Sequence, residues 1–583
     1  MKKLWRYLSL GLLSTFLTAT PGLGAERISF FYPPFGEFSL SVDSLEIFAK
    51  EGKITDELAF YAGRANPQQL AQLRELLQER FNVTPTLVSQ VTYSPIGEDL
   101  IQGLGSLLRN ESRQNGFFAL RSALILAAAD PEGLTVTNLL RQFPSRTVRL
   151  NFTEGLKIVD DLLQVLQKRD EVVTWIQQEA IASAKSIDSL NAAAHNANID
   201  FAQLPDLRSP GSFTWQRTEL ILTDKSRASA SADSSVRIIP TDLYLPAATA
   251  LTSPEDSSPP FPVIVISHGV ASDRSSFAYL AEHLASYGFA VAVLEHPGSN
   301  AERVERYLTG LAGPLEAEEF INRPLDIKFL LDELERREKS NPELQGKLNL
   351  QQVGVIGQSF GGYTVLTLAG ANINFQQLQK DCGADISSFN LSLFLQCQVT
   401  ELEAKNYLLQ DDRIKAVVAI NPLSSSIFGE SQISQIQVPV MLVASSQDIA
   451  TPIVSEQVRP FTWLATPNKY LVLIENATHF SAIAEPTPEN GVLPIPPALL
   501  GPNPAPAYDY LKALNVAFWE THLLNRSEYA PYLQPSYAQY LSQAPLNLSL
   551  LKSLSPDQLN QALNAQSLTP SSPQFTWALP DGD

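Results

Sequence analysis

The sequence predicts an α/β protein whose mostly parallel sheet carries helices on both faces, preceded by a separate all-α domain. Two observations predict this fold class. From residue 261 onward, apolar runs such as 261–267 and 440–444 alternate with amphipathic stretches, as buried parallel strands alternate with crossover helices. Before residue 150, helix start signals follow one another instead. A chain of 583 residues is long enough for two or more hydrophobic cores.

The composition excludes several classes of protein. The chain has 42 Lys and Arg against 61 Asp and Glu, a formal net charge of -19. This balance argues against a nucleic-acid partner, because neutralising phosphates requires clustered basic side chains. It also disfavours adhesion to anionic lipid through a basic surface. With 44% apolar and only 18% charged residues, the chain is predicted to fold rather than to remain disordered.

Residues 1–24 have the three-part pattern of a secretory signal peptide. Three basic residues precede an apolar stretch at 7–20 that is too short to span a bilayer, and small residues then permit cleavage before Ala25. We therefore expect a secreted or periplasmic protein, with retention of the segment as an anchor as the alternative. No later apolar run has the length of a membrane-spanning helix, so no stable span is expected after cleavage.

Residues 25–150 are predicted to form an all-α domain, and 151–211 a connector of two further helices. The domain repeats a start signal in which a capping residue precedes a proline at the first helical position. These pairs are Asn66-Pro67, Thr84-Pro85 and Ser94-Pro95. Leucine stripes at helical spacing predict a core, with a groove for an unknown partner as the alternative. The domain shows no catalytic constellation.

Residues 212–527 are predicted to form the catalytic domain, and 528–583 a C-terminal tail with one short helix. Two β-rich segments at its start predict an antiparallel hairpin, and the later apolar runs predict parallel strands. The expected strands are 213–223, 236–245, 261–267, 290–295, 353–357, 415–420, 440–444 and 470–474.

The only cysteines, Cys382 and Cys397, lie in a long segment at 370–412. An exported protein meets an oxidising compartment, which favours a disulfide between them over two buried thiols. Two cysteines without a histidine-rich neighbourhood do not form a metal site. The segment has the length of an insertion that covers a substrate as a cap, although its apolar residues are equally consistent with ordinary packing.

Gly357-Gln358-Ser359-Phe360-Gly361 is a G-x-S-x-G box between an apolar strand and a helix-compatible stretch. This context is typical of a nucleophile elbow, in which a sharp turn exposes the serine. Side chains two positions before and after the serine would collide, so Gly357 and Gly361 remove them. Gly362 lets the helix pack close to the sheet. Ser359 is therefore the predicted nucleophile, and a structural glycine-rich turn is the alternative.

A serine nucleophile requires a general base, and the base requires an orienting acid. Only His479 and His522 follow Ser359 in the chain. His479 comes just after an apolar strand, where a catalytic loop is expected, whereas His522 lies inside an amphipathic helix. His479 is therefore the predicted base.

The acid is expected in a loop after a late strand. Asp448 follows the apolar run 440–444 and is itself followed by Thr-Pro, three residues on. The preceding strand ends at Asn421, whose amide cannot stabilise an imidazolium as a carboxylate can. Asp448 is the predicted acid, with a turn-forming role as the alternative and Glu475 as a weaker candidate.

The oxyanion hole requires two backbone N–H groups, one after the nucleophile and one from the loop after the third strand. The predicted donors are Phe360 and Val270. His268, just before the Gly269 turn, is predicted to brace this loop rather than to exchange protons. His296 is interpreted either as lining the pocket or as starting a turn.

These residues resemble the α/β-hydrolase superfamily, and more narrowly its platelet-activating-factor acetylhydrolase and dienelactone-hydrolase-like branches. The segments that carry the resemblance are 267–270, 287–291, 294–299 and 357–362. The resemblance implies a calcium-independent serine esterase acting on short or oxidised acyl chains of phospholipids. The acetylhydrolases carry their acid where this chain has Asn421, whereas Asp448 stands where dienelactone-hydrolase-like enzymes have theirs. Residues 25–150 resemble the N-terminal domain of secreted bacterial α/β-hydrolases.

The sequence as a whole predicts a secreted serine hydrolase that cleaves a small-molecule or lipid ester through an acyl-enzyme, with no metal or organic cofactor. One alternative keeps the triad and changes the substrate to a polyester, xenobiotic ester, amide or peptide. The other alternative makes the helical domain an envelope- or protein-binding module, with the hydrolase as its effector.

Overall fold

The computed structural model describes residues 24–32, 36–81, 83–193, 199–227, 236–247, 260–382, 389–484 and 497–564. The predicted signal peptide, apart from its last residue, lies outside these ranges. The chain divides into two compact units. The first contains residues 1–163 with 305–314, and the second contains 164–304 with 315–583. The sequence instead predicts a boundary at residue 150 and places 305–314 in the catalytic domain.

The first unit is mainly helical, as predicted. Its helices are α1 (Val42–Glu51), α2 (Asp56–Ala62), α3 (Pro67–Gln78), α4 (Pro85–Thr92), α5 (Pro95–Leu107), α6 (Phe117–Ala129) and α7 (Val136–Gln142). The three predicted capping residues, Asn66, Thr84 and Ser94, each accept a hydrogen bond from a backbone N–H in the first turn of their helix. A core that includes Phe48, Leu120 and Phe143 lies between these helices.

The all-α description of this unit needs a correction, because the unit also contains a four-stranded sheet of order β2-β1-β4-β3. The strands are β1 (Arg27–Tyr32), β2 (Gly36–Ser41), β3 (Leu108–Arg109) and β4 (Thr147–Leu150). Strand β1 pairs with its neighbour β2 and also, in parallel, with the distant β4. Strands this short, one pair of which joins segments about 120 residues apart, leave little periodicity in the local sequence.

The second unit is built on a nine-stranded sheet of order β13-β12-β11-β10-β9-β7-β8-β6-β5. Its strands are β5 (Thr214–Asp224), β6 (Arg237–Ala247), β7 (Phe261–Ser267), β8 (Ala290–Leu294), β9 (Leu348–Gln358), β10 (Ile414–Ile420), β11 (Val440–Ser445), β12 (Lys469–Ile474) and β13 (Leu548–Leu551). The six central strands, from β12 to β8, are parallel. The predicted hairpin β5–β6 lies antiparallel at one edge.

Helices cover both faces of this sheet, as predicted. Successive residues of β7 belong to two different apolar clusters, Val263 and Val265 to one and Ile264 and Ile266 to the other, because side chains alternate along a strand. The described helices that lie wholly or partly in this unit are α8 (Phe152–Ala193), α9 (Ala278–Ser286), α10 (Ala301–Leu308), α11 (Glu319–Ser340), α12 (Phe360–Leu368), α13 (Phe375–Cys382), α14 (Ser392–Cys397), α15 (Ser425–Ile433), α16 (Arg459–Trp463), α17 (Pro497–Leu500), α18 (Ala505–His522), α19 (Pro535–Leu541) and α20 (Pro556–Asn564).

Two segments differ from their predictions. The connector contains one continuous 42-residue helix, α8, rather than two helices. The predicted tail contributes strand β13, which pairs antiparallel with β12, and residues of α20 join the core of the sheet. The described part of the tail is therefore integral to the fold. Across the described ranges, no helix has both the length and the apolar character needed to cross a membrane.

Candidate active site

Ser359 occupies a sharp turn between strand β9 and helix α12. Its backbone has φ 57° and ψ -116°, a conformation that costs a non-glycine residue about 1–3 kcal/mol and concentrates at functional sites. The Ser359 N–H donates to the carbonyl oxygen of Ile420 on the adjacent strand at 2.9 Å, which holds the turn against the sheet. Ser359 is only partly buried, whereas Gln358 and Phe360 on either side of it are buried.

Glycine is required at the three predicted positions, because a larger residue would collide with neighbouring atoms. A Cβ on Gly357 would lie 2.0 Å from the carbonyl oxygen of Gly361, and a Cβ on Gly361 would lie 2.0 Å from that of Ser267. A Cβ on Gly362 would lie 2.7 Å from the ring of Pro422. The turn therefore packs against β7 and against the loop after β10 without room for any side chain at these positions.

Asp448 and His479 form a buried pair at the ends of β11 and β12. The distance from His479 Nδ1 to Asp448 Oδ2 is 2.7 Å, and the two residues are 6% and 5% exposed. The other carboxylate oxygen, Oδ1, accepts the backbone N–H groups of Ala450 and Thr451 at 2.9 and 2.8 Å. The Thr451 hydroxyl donates to Oδ2 at 2.8 Å. These bonds hold the carboxylate beside the imidazole, as the predicted acid role requires.

The nucleophile turn, the histidine loop and the loop after β7 meet at the carboxyl edge of the sheet. Gln358, the neighbour of Ser359, donates to the backbone carbonyl of His479 at 3.2 Å. A Cβ on Gly269 would lie 3.2 Å from the Cβ of Ser359. No hydrogen bond among the described residues joins Ser359 to His479, a bond that often tightens only when substrate is bound.

The predicted oxyanion donors lie on either side of this turn. Phe360 is the first residue of α12, where backbone N–H groups have no partner within the helix. Val270 follows Gly269 in the loop after β7, and the next residue, Ala271, has a left-handed φ of 59°. The Ala271 N–H donates to the carbonyl oxygen of Ser299 at 3.0 Å, so the end of the loop is tied down.

His268 and His296 are fully buried and contact each other rather than a pocket. Nδ1 of His268 lies 2.7 Å from the Gly269 carbonyl oxygen, and its Nε2 accepts the backbone N–H of His296 at 3.0 Å. Burial, and secondarily the charge of Arg323, lowers the pKa of both histidines well below the ordinary value. Both rings are therefore neutral at pH 7, an arrangement that supports loop bracing over proton exchange.

Beneath this loop lies a buried charged cluster that the sequence did not predict. Asp326 receives two hydrogen bonds from Arg237, at 2.7 and 2.8 Å, and lies 2.9 Å from Nδ1 of His296. Arg237 also pairs with Glu319 at 3.0 Å. The spacing of Glu319, Arg323 and Asp326 places these charges on the same face of α11 as its apolar residues, which is the pattern that could have revealed them.

The predicted disulfide joins Cys382 on α13 to Cys397 on α14. Nearby, the buried carboxylate of Glu456 accepts the N–H groups of Ser424 and Ser425 at 2.7 and 2.9 Å. Its other oxygen accepts hydrogen bonds from the side chains of Asn390, Ser392, Gln396 and Ser425. Glu456 thus anchors the insertion at 370–412 to the loop after β10. The role of the insertion as a cap remains a prediction.

A strained serine after a central parallel strand, with a His–Asp pair at the same sheet edge, defines an α/β-hydrolase fold. A family profile described as "Alpha/beta hydrolase of unknown function (DUF1400)" matches residues 24–151. A second, described as "Platelet-activating factor acetylhydrolase, isoform II", matches residues 229–321. Platelet-activating factor acetylhydrolase of Cavia porcellus is 26% identical over 184 residues, which cover 27% of this chain and 42% of that protein. These matches support the platelet-activating-factor-acetylhydrolase-like branch of the superfamily.

Proposed function

We propose that this protein is a secreted serine hydrolase of carboxylic esters that cleaves short or oxidised acyl chains from lipids. The observation that carries the proposal is the strained, accessible Ser359 at the same sheet edge as the hydrogen-bonded pair of His479 and Asp448. The lipid substrate class is supported by the similarity to platelet-activating factor acetylhydrolase. Export is supported by the signal-peptide pattern at 1–24.

In the proposed mechanism, Nε2 of His479 takes the hydroxyl proton of Ser359 as the oxygen attacks the ester carbonyl. The backbone N–H groups of Phe360 and Val270 stabilise the tetrahedral oxyanion. Asp448 holds the proton on Nδ1 and stabilises the imidazolium that forms. His479 then protonates the leaving alcohol. A water molecule, deprotonated by the same imidazole, releases the acid and restores Ser359.

A fluorophosphonate probe, which phosphonylates an activated serine, tests the nucleophile. Wild-type protein should be labelled and the Ser359→Ala variant should not. Ser267→Ala is the matched control, because Ser267 lies 2.9 Å from a histidine nitrogen but is fully buried. This variant should still be labelled. Equal labelling of wild type and Ser359→Ala would refute the assignment.

The substrate class requires a separate screen. Choline phospholipids with acetyl, oxidised short-chain and palmitoyl groups at the second glycerol position test the lipid proposal. We expect turnover of the first two and little of the third. Preferential turnover of xenobiotic esters, polyesters or amides would keep the triad and replace the lipid substrate.

A further inference from the structure

Arg323 is a fully buried side chain that contacts the loop after β7. Its Nη2 donates to the carbonyl oxygen of His268, and its Nη1 donates to the Ser299 hydroxyl at 2.7 Å. The His268 carbonyl belongs to the peptide that leads into Gly269, and glycine leaves the following backbone free to rotate. The guanidinium holds this first peptide, and Nδ1 of His268, 2.7 Å from the Gly269 carbonyl oxygen, contacts the next peptide, which carries the N–H of Val270.

The same side chain also contacts the other half of the predicted oxyanion hole. The guanidinium carbon of Arg323 lies 4.6 Å from the centre of the Phe360 ring. Its Nε lies 3.3 Å from the hydroxyl of Thr364, one turn further along α12. A planar guanidinium can make hydrogen bonds and a ring contact in these different directions at once, whereas the single ammonium group of a lysine cannot.

The electrostatics of Arg323 differ from those of its neighbour Arg237. Arg237 pairs with both Asp326 and Glu319, whereas the described hydrogen bonds of Arg323 all end on neutral oxygen atoms. Burying a cation without a directly bonded carboxylate is costly. Burial lowers the pKa of Arg323 to about 9, so the group is still a cation at pH 7. A stabilising role alone does not account for this arrangement.

We propose that Arg323 is a positioning residue that holds the two backbone donors of the oxyanion hole, on Phe360 and Val270, in one arrangement. This role rests on the proposed esterase function. Arg323 does not touch the substrate in this proposal. It acts through the His268 peptide on one side and the Phe360 ring on the other.

The test compares Arg323→Met and Arg323→Lys with Arg237→Met, a matched control that is equally buried but contacts carboxylates instead of the loop. Rates are normalised to sites titrated with the fluorophosphonate. We expect kcat to fall about 10- to 100-fold in Arg323→Met with KM changed less than about twofold, by analogy with loss of an oxyanion donor. Arg323→Lys should recover part of the loss, and Arg237→Met should lose thermal stability but keep kcat per titrated site.

A trifluoromethyl ketone, which forms a tetrahedral adduct with serine, gives a second readout. Its inhibition constant should rise in Arg323→Met by the factor by which kcat/KM falls, because both depend on the same oxyanion. Unchanged kcat, or equal losses in Arg323→Met and Arg237→Met, would overturn the positioning role while leaving the esterase proposal intact. If Arg323→Met does not fold, Arg323→Lys carries the same test. Wild-type protein without Ser359-dependent turnover would overturn both proposals.

Discussion

Acid should destabilise the second unit strongly, because His268 and His296 are buried without charge. Their folded-state pKa values are held well below the ordinary value, first by burial and then by the charge of Arg323. The contact of His296 with Asp326 does not raise the pKa of His296 again, since Arg237 and Arg227 already pair with that carboxylate. The unfolded chain therefore takes up protons that the folded chain does not.

The sign and size of the effect follow from proton linkage. A group with a lowered folded-state pKa contributes full stability above the pKa of the unfolded chain, about 6.5 for histidine, and loses it as pH falls. Each histidine that stays neutral in the folded protein then loses about 2 kcal/mol between pH 7 and pH 5. His268 and His296 together should lower the free energy of unfolding by about 4 kcal/mol. His283, whose pKa burial lowers to about 4, changes stability in the same direction.

Urea unfolding at pH 7 and pH 5, followed by tryptophan fluorescence, measures this loss. The tryptophans in the described ranges, Trp175, Trp215, Trp463 and Trp519, all lie in the second unit. The His296→Gln variant keeps a donor and an acceptor but does not titrate, so its loss should be smaller by about 2 kcal/mol. A wild-type loss below about 1 kcal/mol, or an identical loss in the variant, would show that these histidines are already protonated in the folded protein.

Three further predictions concern the candidate site and the buried contacts and disulfide near it. Asp448→Asn should lower kcat by about 10³- to 10⁴-fold with little change in melting temperature, measured with p-nitrophenyl acetate, and an activity within tenfold of wild type would contradict the acid role. Glu456→Gln should lower the free energy of unfolding by about 3 kcal/mol in urea, because it removes a buried charge that is fully hydrogen-bonded. The exposed Glu403→Gln should change it by less than about 1 kcal/mol. Reduction of Cys382–Cys397, which closes a 15-residue loop, should cost about 3 kcal/mol, and no shift in the urea midpoint would contradict this.

The strained turn at Ser359, its flanking strand and the loops of His479 and Asp448 could be predicted because each leaves a local pattern. A glycine two positions from a serine, or a histidine just after an apolar run, is visible within ten residues. The parallel sheet follows for the same reason, since each central strand contains a buried apolar run. The order of strands and loops then brings the ends of β9, β11 and β12 to one edge.

The features that escaped prediction depend on contacts between distant segments. The sheet of the first unit joins residues 27–30 to 147–150, and neither segment has a distinctive pattern alone. The charged cluster joins Arg237 on β6 to Asp326 on α11, 89 positions away. The position of Asp326 on the apolar face of α11 indicates burial, but the sequence does not identify Arg237 as its partner. The packing of α11 against the sheet brings the two charges together, and burial then requires them to pair.

The fold contains a second serine–histidine–aspartate arrangement. Comparing it with the candidate site shows that hydrogen-bond geometry alone does not identify a catalytic triad. Ser267 Oγ lies 2.9 Å from Nε2 of His296, whose Nδ1 lies 2.9 Å from Asp326, the same order of contacts expected of a catalytic triad. All three residues are fully buried.

Access and electrostatics decide between this arrangement and the candidate site. Ser267 ends a regular strand and cannot meet a substrate, whereas Ser359 is half-buried on a strained turn. A general base must also gain a proton during the reaction, and surrounding guanidinium groups and burial oppose protonation of His296. Hydrogen bonds alone would favour the set of Ser267, because no described hydrogen bond joins Ser359 to His479. Access instead favours the predicted set of Ser359, His479 and Asp448, because Ser359 is partly exposed and Ser267 is fully buried. Labelling of Ser267→Ala but not of Ser359→Ala is therefore the decisive comparison.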